Sequence, residues 1–263
     1  MSATLKPRAE TARAARLRNG IAVASGKGGV GKTWLSITLC HALARLGRKA
    51  LLFDGDLGLA NVDIQLGLAP ERDLGGVLAG RYSLAEAKCP VPDGGFDVIA
   101  GRSGSGGLAN LPAERLASLC ADLAALGASY DRVVLDLGAG IEGTVRNLAA
   151  QAGTCLVITT DEPTAMTDAY AFIKLSLMGT PRPDPRLVVN AAETRAEGER
   201  TYGTLRKACK SFLKISPPLA GIIRRDGKVK EAIRHQAPLL TRHPNTAAAA
   251  DVEALAQRLV ADS

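Results

Sequence analysis

The pattern of this chain predicts an α/β fold: a single domain in which a mostly parallel, twisted sheet carries helices on both faces. Three observations lead there. Short apolar runs recur along the sequence without polar alternation, as strands buried on both faces require. Segments with helical spacing separate them, the arrangement of βαβ units. A glycine-rich turn, Gly26-Lys27-Gly28-Gly29-Val30-Gly31-Lys32-Thr33, joins the first run to the first helix.

Taken in order, Ile21-Ala22-Val23-Ala24 is the first strand. Trp34, Leu35, Leu39, Ala42, Leu43 and Leu46 mark the apolar positions of the first helix, and Gly47 stops it. Lys49 to Phe53 is a strand leading into Asp54, and Phe96 to Ala100 is a third. Pro112 opens a helix from Ala113 to Leu126. Arg132 to Leu135 runs into Asp136, and Thr154 to Thr160 is another buried strand. Pro163 starts a helix reaching Met178, Arg186 to Val189 ends at Asn190, and a helix spans Glu199 to Lys214. Leu219 to Ile223 is the last strand and Thr246 to Val260 the last helix. Neither the Gly/Ser loop Gly101–Gly107 nor the stiff connector Pro181–Pro185 is long enough to divide the chain. The expected organisation is a basic arm over residues 1–18 and one domain over 19–263.

The glycine turn carries the chemistry. Gly26, Gly31, Lys32 and Thr33 satisfy G-x-x-x-x-G-K-[ST], the phosphate-binding loop, in its required setting of strand, loop and helix. Backbone N–H groups of such a loop turn inward around phosphates, the lysine reaches the outer phosphates, and the Thr33 hydroxyl can ligate Mg²⁺. The helix N-terminus adds its dipole. The expected fold is therefore a P-loop NTPase domain, with ATP and Mg²⁺ as its cofactors. Gly26, Gly28 and Gly31 also fit G-x-G-x-x-G, and Asp54 lies where a dinucleotide's ribose-binding acid would stand. Lys32 and Thr33 have no use in that site, so the triphosphate reading is preferred.

Ligands of such sheets bind beyond the carboxyl ends of the strands. Ser25-Gly26, Asp54-Gly55-Asp56, Asp136, Thr160-Asp161 and Asn190 all stand there in the predicted layout. Asp136, closing an apolar strand, suits a carboxylate behind the metal near Thr33; its alternative is a helix cap. Asp54 and Asp56 divide between holding the metal's water shell and positioning an attacking water. The second loop lysine, Lys27, is surplus for one phosphate group. It can reach a neighbour's phosphate in trans or simply face solvent.

Composition limits the alternatives. Hydrophobic residues make up 46% and aromatics 3%, so the core is aliphatic. No apolar run spans a membrane, residues 1–18 lack the apolar stretch of a secretory signal, and five scattered cysteines suit free thiols in a cytoplasmic protein. The net charge of +7 concentrates in residues 1–18 and 195–235, the latter with eleven Lys/Arg against four acids. Such clusters mark nucleic-acid or membrane contact, or a solvated face. On the helix from Glu199, Arg206, Lys207, Lys210 and Lys214 are expected opposite Tyr202, Leu205, Cys209 and Phe212.

The segment Lys27–Thr33 resembles the deviant phosphate loop of the MinD/ParA ATPases, whose first lysine crosses a nucleotide-sandwich dimer. Asp54-Gly55-Asp56-Leu57-Gly58-Leu59-Ala60-Asn61-Val62-Asp63 is similar to the first switch of the flagellar-number regulators of the FlhG/FleN type, and Glu162 to Tyr170 looks like the same subgroup. The likeness runs from about residue 20 to 262. It implies a slow ATPase that cycles between a monomer and an ATP-bound homodimer, with Lys27, Lys32 and Asp56 catalytic. It places Gly26 to Trp34, Asn190 and Asp226 on the nucleotide, and Thr33, Asp56 and Asp136 about the metal. The implied partners are a flagellar GTPase, a flagellar switch-complex protein or a transcription regulator; a ParA-like alternative would hold DNA through the basic segment 199–234.

Two stretches depart from that pattern. Of the subgroup's D-Q-A-x-x-L-R motif, the segment Ala12–Arg18 keeps Ala14, Leu17 and Arg18 alone. The last helix carries Asp251, Glu253 and Asp262 against Arg258, with no aromatic residue. It is expected to pack on the domain and to bind membrane weakly or not at all.

Overall fold

The computed structural model describes residues 16–56, 58–101 and 111–262. Most of the expected basic arm, Leu57 of the switch segment and all but Gly101 of the Gly/Ser loop lie outside the described residues.

Eight strands form one sheet in the order β3-β4-β2-β5-β1-β6-β7-β8. The first half holds β1 (Leu17–Ser25), β2 (Ala50–Gly55), β3 (Lys88–Val91) and β4 (Phe96–Ile99); the second holds β5 (Arg132–Ala139), β6 (Ala152–Thr159), β7 (Pro185–Ala192) and β8 (Leu219–Arg224). All neighbours are parallel except the edge pair β3–β4. β1 lies between β5 and β6, so the chain departs to both sides of it. That is the switch point where a crevice opens beyond the strand ends.

Successive side chains of a strand face opposite ways, and β1 shows why an unbroken apolar run is needed. Ile21 and Val23 enter one core and Ala22 and Ala24 the other. The first core is covered by α1 (Lys32–Arg45), α2 (Val62–Leu66), α8 (Gly227–Arg234), α9 (Leu239–Arg242) and α10 (Ala247–Ala261). The second lies beneath α3 (Leu74–Leu78), α4 (Ala113–Gly127), α5 (Gly143–Gln151), α6 (Pro163–Ser176) and α7 (Arg195–Ala208). Burying each Leu, Ile or Val contributes roughly 1.5–3 kcal/mol, and these two sheets of side chains hold the layers together.

Several boundaries differ from expectation. β1 begins at Leu17, taking Leu17 and Arg18 out of the expected arm. β5 continues three residues past Asp136, so this carboxylate stands within the strand and not at its end. α7 starts at Arg195, capped by the Thr194 hydroxyl, and passes at Cys209 into a π-helical turn ending at Leu213. The wider turn breaks the 3.6-residue phase. Leu205 and Cys209 are buried as expected, whereas Phe212 is 75% exposed. The α10 helix packs by Val252, Leu255, Ala256 and Leu259, as its sequence implied.

Candidate nucleotide site

The loop between β1 and α1 is shaped by contacts that need glycine. A Cβ on Gly26 would overlap the Asp168 carbonyl of α6, so the chain turns off β1 hard against that helix. Gly31 caps α1 with φ 93°, a left-handed backbone that side chains disfavour. The Ser25 hydroxyl donates to the Lys27 carbonyl at 2.6 Å, and the Gly140 N–H donates to the Ser25 carbonyl, tying the loop to the end of β5.

The two loop lysines face different ways. Lys32 is buried to 7% exposure; burial lowers its pKa, opposed by the charges of Asp136 and Asp56. Lys27 lies at the rim, its ammonium 2.5 Å from the Glu162 carboxylate and 2.8 Å from the Thr164 hydroxyl. That contact draws Glu162 below the ordinary carboxylate range, through the hydrogen bond first and the charge second.

Asp136 is 1% exposed and accepts hydrogen bonds from the hydroxyls of Ser36, at 2.9 Å, and Thr33. Burial pushes it up to about 6 despite those donors and Lys32. Asp54, directly across on β2, is fully buried and pushed up to about 7 by burial and by Asp136. It accepts the N–H groups of Asp56 and Val62. Asp56 turns the chain off β2 by accepting the Leu59 N–H at 3.1 Å. Its carboxylate comes so near β5 that a Cβ on Gly138 would stand 3.3 Å from its oxygen. Buried carboxyl groups and a hydroxyl supply the oxygen atoms that a hard cation takes, and the buried lysine supplies positive charge for phosphate. Among the described residues, no cluster of three or more His, Cys, Asp or Glu forms a metal cage. Mg²⁺ needs none where phosphate oxygens and waters complete its shell.

The other expected site residues fall as follows. Val30 is buried, and Gly28 and Gly29 line the outer turn. The Trp34 side chain is buried in the first core, so it offers a nucleotide only its backbone. Asn190 lies beside the loop, its amide donating to the Val30 carbonyl at 2.7 Å. Asp226 caps α8, accepting the Lys228 N–H at 2.9 Å. Ser36, Glu162 and Thr164 had no assigned role in the sequence. Ser36 stands one helical turn beyond Lys32, a spacing that could have revealed it. Glu162 is 135 residues from Lys27, and although its segment resembles the subgroup, nothing in the sequence joined it to the loop.

Comparison with known proteins agrees with this geometry. Residues 21–239 match the CobQ/CobB/MinD/ParA nucleotide binding domain. The antiactivator FleN of Pseudomonas aeruginosa is 37% identical over 239 residues, covering 91% of this chain and 85% of FleN. The flagellum site-determining protein YlxH of Helicobacter pylori is 31% identical, covering 91% and 81%. The structure of the septum site-determining protein MinD of Pyrococcus horikoshii, complexed with Mg-ADP, superimposes with a TM-score of 0.77 at 23% identity, over 92% of this chain and 95% of that one. The chain belongs to the CobQ/CobB/MinD/ParA nucleotide-binding family.

Proposed function

We propose that this protein is an ATP-binding and hydrolysing molecular switch, dimeric with ATP, that regulates the number or placement of polar flagella through partner proteins. The observation that carries it is the division of labour between the two loop lysines: Lys32 buried beside Asp136, Lys27 held at the rim. The likeness to FleN and YlxH directs the switch to flagella.

Phosphoryl transfer to water needs orientation and charge neutralisation more than covalent help. Bound Mg²⁺ would neutralise phosphate charge. Thr33 would ligate it, with Asp136 holding that hydroxyl from behind and Asp56 on its water shell. Lys32 would neutralise the outer phosphates, and Asp56 would orient the attacking water. Lys27 would leave Glu162 for the nucleotide of a second subunit, which makes hydrolysis depend on pairing. An apolar groove of about 530 Å³ beside α6, lined by Pro163, Met166, Tyr170, Leu205, Ala208 and Phe212, supports docking of a partner near that rim. Cytoplasmic residence suits these partners; no helix among the described residues is long and apolar enough to cross a membrane.

Size-exclusion chromatography with ATP or ADP tests the reading: a dimer with ATP alone is expected, and a monomer throughout would refute it. Counting flagella per cell in a deletion strain tests the biological role. A ParA-like reading has one observation in its favour. Arg200, Arg206, Lys207, Lys210 and Lys214 have no carboxylate partner among the described residues. DNA retention that falls steeply with salt would establish that reading.

A further inference from the structure

We infer that Asn190 is a positioning residue for the phosphate loop, so that one amide serves both the base and the phosphates of the nucleotide. The inference rests on the nucleotide-binding reading and extends it from contact to coupling.

Asn190 stands near the end of β7, 8% exposed, and reaches across 160 positions of sequence to the loop. The Val30 carbonyl can only accept, so the amide must present its Nδ2 there, and the orientation of the group is settled by its partner. A Cβ on Gly31 would overlap that same Nδ2. Gly31 is therefore required twice, for its φ of 93° and for the space the amide fills. Ala191, next in sequence, takes φ 56°, a conformation alanine rarely adopts. The Arg225 N–H donates to the following carbonyl, of Ala192, at 2.8 Å and ties this end of β7 to the end of β8. Strained backbone of this kind persists where its surroundings fix it.

An asparagine amide has two N–H groups and one oxygen. One N–H is spent on Val30, and the oxygen accepts from no described residue. The remaining donor and acceptor form the edge that a purine can pair with. A base seated on that edge fixes the amide, and the amide fixes the Val30 carbonyl. Removing the amide releases the loop even when no base is present.

Two measurements on the full chain test this. Hydrogen exchange of the nucleotide-free protein is compared in wild type, Asn190→Ala and Asn190→Asp; the last keeps the side chain's shape and removes the donor. Amides of residues 28–33 are expected to exchange faster in both variants, while those of β4 are unchanged. Calorimetry with Mg-tripolyphosphate and with Mg-ATP is then expected to show both affinities falling about tenfold in Asn190→Ala. Unchanged loop exchange, or weakened ATP with tripolyphosphate unaffected, would overturn the inference and leave Asn190 a base contact alone. Failure of wild type to bind ATP would instead remove the nucleotide reading, and the exchange result would still decide the brace.

Discussion

Asp54 and Asp136 stand directly opposite each other on β2 and β5, and both are buried. Burial and mutual repulsion raise Asp54 to about 7, against 3.8 when unconstrained. A carboxyl raised in this way is held protonated by the fold. The stability this confers is complete below pH 4 and is lost as pH climbs through 7. His41, lowered to about 4 by burial and by Arg45, acts oppositely between pH 4 and 6.5. The pair is isolated by comparing wild type with Asp54→Asn in urea. Without nucleotide, the variant is expected to be the more stable protein at pH 8, by on the order of a few kcal/mol, and to lose that advantage progressively as the pH falls to 4. Saturating Mg-ATP should shrink the difference at pH 8, because a cation then faces the carboxylates.

The anchoring of Lys27 on Glu162 and Thr164 makes a second prediction. The pair is exposed, so it holds the lysine weakly. A triphosphate from another subunit would offer more charge and displace it. Glu162→Gln should therefore bind ATP as wild type does and form the dimer at the same or a lower ATP concentration. Lys27→Ala should bind ATP and remain monomeric. Sedimentation velocity across an ATP series measures both. A Glu162→Gln protein that needs more ATP to pair would show that the carboxylate assists the lysine and does not restrain it.

The sequence revealed the elements that obey a single period, and it revealed the loop. Strands β1, β2, β4, β5, β6, β7 and β8 were legible because burial keeps the centre of each run apolar. β3 was not: Lys88-Cys89-Pro90-Val91 is too short and carries a proline, which an antiparallel edge tolerates and a pattern search rejects. The α5 helix has few apolar positions and follows a glycine-rich strand end, so it reads as loop. Phe212 was misplaced because a π turn resets the phase, and a wheel drawn through Cys209 cannot anticipate it. In the site, the meeting of Lys32 and Thr33 with Asp136 follows from the strand-end layout; the contacts of Lys27 with Glu162 and Thr164, and the brace of Asn190 on Val30, depend on tertiary approach that no local pattern signals.

Asp56 is expected to matter for hydrolysis more than for binding. Its side chain lies beside Gly138 and caps its own turn through Leu59, so replacing it perturbs the switch loop and leaves Lys32, Thr33 and Asp136 in place. Asp56→Ala is expected to keep ATP affinity within a fewfold and to lower turnover about a hundredfold, the lower range for losing a group that orients a reacting proton. The ATP dimer should then outlive that of wild type in a chase with ADP. Loss of binding in step with turnover would show that Asp56 serves chiefly to hold the metal.

Asp251 offers a stability test far from the nucleotide. Its buried carboxylate joins α10 to Arg224 of β8, at 2.8 Å, and to Arg195 of α7, at 2.7 Å. The two guanidinium groups are partly exposed, at 34% for Arg224 and 55% for Arg195, whereas the carboxylate is at 1%. Removing one partner therefore has unequal consequences. Asp251→Ala leaves two arginines that can swing into water. Arg224→Ala leaves a carboxylate that cannot, with Arg195 and the backbone N–H of residue 224 as its remaining donors. Arg224→Ala is expected to cost about 3 kcal/mol, as when a buried charge loses its partner, and Asp251→Ala measurably less. Urea midpoints of the two variants decide it. A larger loss in Asp251→Ala would mean that the carboxylate's attraction for both arginines outweighs the penalty of leaving it unpaired.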